Sequence, residues 1–275
     1  MERAAARQRL QGDTMEAIDI VKSNYIRELI NKGQRQDSRD LLSFRDISIK
    51  RGIIQNAEGS AQVELGDTKI LAGVKVMLGS PMEDTPEQGN QIVSAEYWPG
   101  AAREFEPGPP SPEAIELARV VDRGIRAANC INLESLYLEE GKCWDVYVDV
   151  YVLNHDGNLI DASSMAVMAA LMDTRMPKYE NGVVNREDRT NKLKVNGVVA
   201  TTTFAKIGDR IVLDPTGDEE NAMSARLTVA NDGKLIRAMQ KGKSGSFNID
   251  EVEELSRISL EKHAELKKII GSEQR

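Results

Sequence analysis

The clearest structural signal in this 275-residue chain is the stretch WDVYVDVYVLNHDGN at residues 144–158. Apolar and polar residues alternate along it, and a period of two is typical of a β-strand with one buried face. That face carries Trp144, Val146, Val148, Val150 and Val152. The turn-forming residues Asn154–Gly157 end the strand, and an Ala- and Met-rich run follows at 161–173. The stretch therefore predicts a strand, a tight turn and a helix.

The sequence before this strand predicts a hairpin, a long loop and a helix. Residues 57–76, AEGSAQVELGDTKILAGVKV, contain two strand-like runs that meet at the turn dipeptide Gly66-Asp67. The segment from Gly79 to Pro110 is dense in Pro, Gly and acidic residues, so it predicts a long loop with one strand at 92–97. Ser111 followed by Pro112 signals a helix start, and a helix is expected from there to residue 128.

The sequence after residue 173 predicts a second set of strands and a final helix. A polar, charged stretch at 173–196 is expected to connect the two sets. Strands are expected at 198–207, 210–213, 223–229 and 235–240. Asn248 and Glu251 form a capping-box pattern for the last helix, which ends near Gly271. A similar pattern at Asp13 and Glu16 predicts an N-terminal helix.

These elements predict an α+β protein with mixed sheets and a C-terminal helix, arranged in two comparable halves. Residues 1–14 are expected to form a flexible arm. Residues 15–180 are assigned to the N-terminal helix and the first half, and residues 181–275 to the second half with the C-terminal helix. The two halves are expected to pack as one compact domain.

Composition excludes several classes of protein. Lys and Arg number 36 against 44 Asp and Glu, a net charge of −8, so any RNA contact needs a local basic patch. No apolar run reaches the roughly 20 residues that span a bilayer, and the N-terminus lacks the apolar core of a signal peptide. Two cysteines, Cys130 and Cys143, are too few for a disulfide framework. A cytoplasmic protein with no membrane role is therefore expected.

Motifs for metal or nucleotide binding are missing from the sequence. The two histidines, His155 and His263, belong to no metal-ligand or catalytic-triad pattern, and His263 is expected at the surface of the last helix. The run GKSGS at Gly242 lacks the upstream glycine of a phosphate-binding loop. We therefore predict no metal site and no nucleotide site.

Several segments of the chain resemble one family. They are RQDSRD at Arg35, GSAQVELGDTKILAGVKV at Gly59, ELARVVDRGIR at Glu116 and VYVDVYVLNHDGN at Val146. Together, from about residue 35 to residue 270, they resemble the RNase PH-type phosphorolytic exoribonucleases. The run FEPGPPSPEAIELARVVDR at Phe105 resembles the non-catalytic RNase PH-like subunit of the archaeal exosome core.

The resemblance implies a fold, an assembly and partners. The fold has two similar βα halves of the ribosomal protein S5 domain 2-like type. The assembly is a hexameric ring of three heterodimers, in which this subunit alternates with a catalytic RNase PH-like partner. RNA-binding cap subunits and RNA are the further partners. Such a ring degrades RNA from the 3′ end with inorganic phosphate and releases nucleoside diphosphates.

In active members of the family, a Gly-Ser/Thr-Arg triplet follows the central strand and holds the attacking phosphate at a helix N-terminus. The matching positions here are Gly157, Asn158 and Leu159. An apolar residue replaces the arginine, which removes a charged hydrogen bond typically worth ~1.5–3 kcal/mol. Asp156 and Asp161 add negative charge beside the turn. We therefore expect no phosphate site in this chain.

Active members also share a D-G-x-hydrophobic-x-x-D pattern, whose two carboxylates serve the scissile phosphate. The matching run GDRIVLD puts Gly208 and Asp214 at the two positions, so the first carboxylate is missing. A shifted substitute at Asp209 is disfavoured, because a one-residue slip turns a strand side chain to the opposite face. A solvated acidic turn is favoured over a Mg²⁺ site for Asp218, Glu219 and Glu220. We predict no catalytic and no metal residues.

One candidate site is better preserved. On the helix that starts at Pro112, one face carries Arg119, Arg123 and Arg126. The stripe expected to face the core consists of Ile115, Ala118, Val121 and Ile125. The resemblance implies that Arg119 and Arg123 contact RNA near the partner's active site. The alternative is a solvated surface on which Glu116 and Asp122 pair with these arginines.

A weaker candidate for RNA contact is Arg103, which lies in a loop with the aromatic residues Tyr97, Trp98 and Phe105. Aromatic side chains stack on bases, but they are also enriched at subunit interfaces. An interface role is the favoured interpretation of this loop.

The leading hypothesis is a non-catalytic ring subunit that structures the active site of its partner and contacts RNA. Mg²⁺ and phosphate are then expected at the partner's site, and no cofactor in this chain. One alternative is an active phosphate-dependent 3′-to-5′ exoribonuclease that uses Asp214 with a shifted Asp209. Another is an RNA-binding module that acts without a ring, which the acidic charge disfavours.

Overall fold

The computed structural model describes residues 18–180 and 182–272. Its larger sheet has six strands in the order β1-β2-β3-β6-β4, with β5 paired to β6. The strands are β1 Ile47–Arg51, β2 Gly59–Leu65, β3 Thr68–Gly79, β4 Asn90–Tyr97, β5 Tyr137–Glu139 and β6 Lys142–Asn154. All pairs are antiparallel except β4 with β6, so the sheet is mixed as predicted.

Strand β6 lies inside this sheet, and its alternating pattern has the predicted effect. The side chains of Trp144, Val146, Val148, Val150 and Val152 are all buried. Helix α3, Leu159–Asp173, follows β6 and is buried at every residue from Leu159 to Leu171. It contacts β2 and β3 of this sheet and a strand of the second sheet, β11 at Ala200–Ile207, so it forms the centre of the core.

The second sheet has four antiparallel strands in the order β12-β11-β13-β14. They are β11 Ala200–Ile207, β12 Arg210–Leu213, β13 Ala225–Asn231 and β14 Ile236–Gly242. Helix α5, Ile249–Gly271, packs on β11 and β13 and carries the predicted capping box of Asn248 and Glu251. Helix α2, Pro112–Ala127, is capped by Ser111 and contacts β4 and β14, so it bridges the two sheets.

The first helix, α1, covers residues 18–31. Its residues Ile26 and Ile30 share a buried cluster with Ala205 and Val212, so α1 packs on the second sheet although the sequence grouped it with the first half. The predicted cap at Asp13 and Glu16 and the predicted arm at 1–14 lie outside the described residues. The boundary between residues 180 and 181 stays a prediction.

The predicted α+β class, mixed sheets and C-terminal helix are confirmed. The connector at 173–196 contains two strand pairs, β7 Arg175–Met176 with β10 Asn191–Lys192 and β8 Lys178–Glu180 with β9 Val183–Asn185. No helix among the described residues is long and apolar enough to cross a bilayer.

Three local predictions are wrong. The acidic turn is a short helix, α4, Gly217–Ala222, with a capping box between Thr216 and Glu219. His263 is buried rather than at the surface. Its Nε2 lies 3.0 Å from the carbonyl oxygen of Val198, so the buried ring nitrogen has a polar partner. Ile115 is half exposed rather than part of the core stripe of α2, because the buried face runs through Ala114, Leu117 and Val121.

Candidate functional site

The turn between β6 and α3 is the position at which the sequence analysis looked for a phosphate site. Gly157 and Asn158 adopt left-handed backbone conformations, with φ of 80° and 52°. A Cβ atom on Gly157 would lie 2.5 Å from the carbonyl oxygen of Pro215, so only glycine fits against this neighbouring segment. The turn is therefore held tightly against the chain that leads into α4.

The backbone N–H of Asn158 already has an anionic partner inside the chain. It donates to Oε1 of Glu220 at 2.9 Å. N–H groups at the start of a helix such as α3 are the ones that bind an external phosphate, because they lack partners within the helix. Here a carboxylate of the protein occupies that place.

The side chain of Asn158 joins two buried carboxylates. Its Nδ2 donates to Oδ2 of Asp161 at 2.9 Å and to Oδ1 of Asp214 at 2.7 Å. Asp161 also accepts from the backbone N–H and the hydroxyl of Thr203, both at 2.8 Å. Burial raises the pKa of Asp161 to about 6, although these hydrogen bonds oppose the increase.

Two arginine side chains contact the carboxylate of Asp214. It accepts from Nη1 of Arg39 at 2.7 Å and from Nη2 of Arg45 at 2.8 Å, and its side chain is fully buried. Burial by itself would raise the pKa of Asp214, but the hydrogen bond and charge of Arg45, together with the charge of Arg39, hold it below its usual range. Asp214 therefore has the surroundings of a structural anion and is closed to a substrate.

A second buried ion pair lies beside Asp214. Nε of Arg35 donates to Oε1 of Glu219 at 2.9 Å, and a second bond joins Nη2 to Oε2. The Arg35 guanidinium also donates to the carbonyl oxygens of Leu213 and Asp214 at 2.7 and 2.9 Å. The prediction that Glu219 is solvated is therefore wrong. Its buried carboxylate is the counter-ion of the buried Arg35 guanidinium.

Gly208 and Asp209 lie apart from Asp214 in the folded chain. They occupy the exposed turn between β11 and β12, where a Cβ on Gly208 would meet Asn31. The four residues of β12 place about 13 Å of extended chain between that turn and Asp214. The carboxylates that accept from Asn158 are Asp161, Asp214 and Glu220. The sequence analysis placed Asp161 beside this turn but did not place Asp214 or Glu220 there.

A cavity of about 970 Å³, called here the acidic cavity, opens beside the first turn of α3. Its walls include Asn158 and Leu159 and aromatic side chains from the 97–111 loop. Six glutamates line it against a single arginine: Glu96, Glu104, Glu106, Glu113, Glu116 and Glu220, with Arg226. Burial, with the charges of Glu113 and Glu220, raises the pKa of Tyr97 well above its usual value. Such a field opposes phosphate binding.

The described residues contain no group of three or more His, Cys, Asp or Glu that is arranged to hold a metal ion. Asp218 forms a salt bridge with Lys22 at 3.6 Å, Glu219 with Arg35, and Glu220 accepts from Asn158. The three acidic residues considered as Mg²⁺ ligands therefore point to different partners.

The three arginines of α2 differ in their contacts within the chain. Arg126 forms a salt bridge with Asp122 at 3.2 Å and donates to the carbonyl oxygen of Gln91. Arg119 and Arg123 are exposed, and neither forms a salt bridge within residues 18–180 and 182–272. Arg123 donates to Oε1 of Gln240 at 3.2 Å.

The acidic neighbours proposed as the alternative partners of these two arginines are engaged elsewhere. Glu116 pairs with Arg226 at 3.0 Å, and Asp122 pairs with Arg126. The geometry therefore leaves Arg119 and Arg123 able to meet a phosphate chain. Whether they bind RNA stays a prediction.

The aromatic residues of the 97–111 loop pack on one another. The ring centroids of Tyr97 and Phe105 are 4.6 Å apart, and those of Phe105 and His155 are 5.6 Å apart. Arg103 is exposed beside them, and Trp98 is 56% exposed. This arrangement leaves Trp98 as the aromatic side chain of the loop with the most free surface.

The chain is similar to proteins of the 3′ exoribonuclease family. The model of the 3′ exoribonuclease family, domain 1, matches residues 43–177, and the model of domain 2 matches residues 197–262. The exosome complex component Rrp42 of Thermococcus gammatolerans is 47% identical over 251 residues, which cover 89% of this chain and 92% of that relative. The Rrp42 component of Aeropyrum pernix is 45% identical over 250 residues, 88% and 90% of the two chains.

Solved structures agree with these relatives. A chain of the Archaeoglobus fulgidus exosome, solved with RNA bound to the active site, is 38% identical with a TM-score of 0.85, covering 92% of this chain and 98% of that one. Rice Rrp46 is 17% identical with a TM-score of 0.65, covering 86% and 98%, and this likeness concerns the fold alone. The fold type predicted from the sequence is confirmed.

Proposed function

We propose a function from the premise that this chain belongs to the 3′ exoribonuclease family, whose domains are of the RNase PH type. The chain is a subunit of an archaeal-type exosome, which agrees with relatives named Rrp42 that it matches over most of their length. In a hexameric ring of three heterodimers it alternates with a catalytic RNase PH-like partner and lies beneath RNA-binding cap subunits. The ring degrades RNA from the 3′ end in the cytoplasm.

The subunit itself is non-catalytic, and one observation supports this part of the proposal. Phosphorolysis needs inorganic phosphate as the attacking group, yet the N–H of Asn158 is already bound by Glu220. A phosphate charge 4 Å from that carboxylate would be repelled by about 4 kcal/mol at an effective dielectric constant of about 20. The turn therefore does not fit phosphate, and phosphate and Mg²⁺ bind at the partner's site.

The contribution of this chain to the ring is structural and electrostatic. Arg119 and Arg123 extend from the exposed side of α2 and pair with no acidic side chain in the part of the chain that the structure describes, so they form a local positive patch on a chain whose net charge is −8. A few arginines are enough for a local phosphate-binding patch. In the ring these side chains hold the RNA backbone while the partner cleaves its 3′ end.

The experiment is a degradation assay on RNA with a single-stranded 3′ end, with Mg²⁺ and phosphate present. It compares this chain alone, the partner alone and the two together. We expect no nucleoside diphosphate from this chain alone and strong release from the assembled pair. Phosphate-dependent release by this chain alone would contradict the non-catalytic role, and a partner that neither binds this chain nor is activated by it would contradict the ring.

A further inference from the structure

We propose that the acidic cavity binds a flexible organic polycation, a molecule with two or more ammonium groups on an alkyl chain. The cavity is separate from Arg119 and Arg123, and its ligand takes no part in the proposed degradation of RNA. The inference rests on the charge of the walls, an unpaired buried acceptor, and the apolar surfaces between them.

The charge of the cavity walls selects for a cation. Six carboxylates against one guanidinium leave a formal charge of −5, and the single arginine, Arg226, is already paired with Glu116 at 3.0 Å. Within the described part of the chain, the lining carboxylates that form no salt bridge are Glu96, Glu104, Glu106, Glu113 and Glu220. Several carboxylates at one opening raise the local concentration of cations.

A second observation points to a hydrogen-bond donor as the ligand. Asn158 lines the cavity and is 1% exposed, and its Oδ1 is buried with no hydrogen-bond partner among residues 18–180 and 182–272. The orientation of this amide is fixed, because its Nδ2 is held by Asp161 and Asp214 and Oδ1 is turned away from them. A buried acceptor without a donor is costly. An ammonium group has three N–H donors and no acceptor, so it matches this site.

The distribution of the acids favours an extended polycation over a metal ion. No three of the ligating side chains among the described residues converge on one point. Between the carboxylates lie the aromatic surfaces of Tyr97, Trp98, Phe105 and Tyr151. Aromatic faces attract ammonium groups and pack against methylene chains. A volume of about 970 Å³ is within the range of small-molecule sites.

The test is equilibrium dialysis of the full chain against radiolabelled spermidine, at physiological salt and with Mg²⁺ present. We expect saturable binding to one site. The double substitution Glu104→Gln with Glu113→Gln should weaken it by roughly tenfold or more, because each carboxylate contributes a charge-assisted contact. The matched control is Glu187→Gln with Glu253→Gln, which removes the same charge from exposed positions that do not line the cavity.

The outcomes are distinct from those of the degradation assay. If both double variants weakened spermidine binding equally, the net charge of the chain would explain the binding, and the proposal would be overturned. So would absent or non-saturable binding, or complete displacement by MgCl₂ at matched ionic strength. Loss of binding in the assembled ring would show that the partner fills the cavity, which also overturns a site for a free ligand. If Glu113→Gln impairs folding, Glu104→Gln with Glu106→Gln in the exposed loop replaces the first variant.

Discussion

Arg45 binds Asp214 through both its side chain and its backbone. Its backbone N lies 2.8 Å and its Nε 3.0 Å from Oδ2, and its Nη2 lies 2.8 Å from Oδ1. The two residues are 169 positions apart in the sequence, so this contact joins the segment before β1 to the end of β12. Asp214 therefore fastens the N-terminal part of the chain to the second sheet.

Replacing Asp214 by asparagine should lower the free energy of unfolding by about 3–5 kcal/mol, because the buried charges of Arg39 and Arg45 lose their counter-ion. The measurement is urea denaturation followed by circular dichroism. Asp209→Asn is the matched control, since Asp209 is exposed, and it should change stability by no more than about 0.5 kcal/mol. Equal effects of the two substitutions would contradict the structural role of Asp214.

The pKa of Asp161 predicts a pH dependence of stability. Its pKa is raised from 3.8 to about 6 by burial, so the folded state binds a proton more tightly than the unfolded state. The contribution of this group to stability is therefore greatest below about pH 4 and falls as pH rises to about 6. The loss amounts to about 3 kcal/mol at most, since one unit of pKa corresponds to about 1.4 kcal/mol.

Asp161→Asn removes this titration. Stability measured by urea denaturation between about pH 4 and pH 7 should fall less steeply with rising pH in the variant than in the parent chain. Asp214, whose pKa is lowered, acts with the opposite sign, because its contribution is present above its ordinary range and is lost as pH falls through the folded value. Parallel stability curves for the parent and Asp161→Asn would rule out the assignment to Asp161.

The glycine in the turn before α3 provides a third prediction. Gly157→Ala combines a left-handed φ of 80° with a Cβ placed 2.5 Å from the carbonyl oxygen of Pro215. We expect a loss of at least about 2 kcal/mol. Gly33 has a similar φ of 76° but open space around the Cβ position, so Gly33→Ala should cost only about 1 kcal/mol. Thermal unfolding of both variants distinguishes the steric clash at residue 157 from the backbone strain that both positions share. Similar losses of stability in the two variants would show that the close contact with Pro215 contributes nothing.

The sequence predicted those elements in which local pattern and burial agree. In β6 every second residue is apolar and one face is buried, so the alternation alone located the strand. A turn was predicted in place of helix α4, although the residue types of its capping box, Thr216 and Glu219, are present in the sequence. A run of acids at 218–220 is usually solvated, and that expectation outweighed the cap.

The site depends on contacts that a linear pattern does not contain. Glu219 is buried because Arg35, 184 positions away, brings a guanidinium to it. The spacing from Gly208 to Asp214 shows that the first carboxylate of the motif is missing, but no sequence pattern indicated that the carboxylate of Glu220 accepts from the backbone N–H of Asn158. Arg39 and Arg45 lie in or near the RQDSRD segment that carried the resemblance, yet only the folded chain assigns them to Asp214.

The exposed arginines of α2 provide the fourth prediction, which concerns the assembled ring. Arg119→Glu should weaken RNA binding and lower the slope of log affinity against log salt by about 1, because each phosphate contact releases about one counter-ion. Arg126→Ala should have a smaller effect on RNA, since Arg126 is already bound to Asp122 and the carbonyl oxygen of Gln91. Filter binding of single-stranded RNA across a salt series measures both quantities.

The matched control for this series is Arg210→Glu, which makes the same charge change at an exposed position on β12. If the negative charge of the chain as a whole governed RNA affinity, Arg210→Glu and Arg119→Glu would weaken binding alike. A local patch requires that only Arg119→Glu and Arg123→Glu alter the salt slope. An unchanged slope in both α2 variants, with the ring intact by size-exclusion chromatography, would remove this face from the path of the RNA.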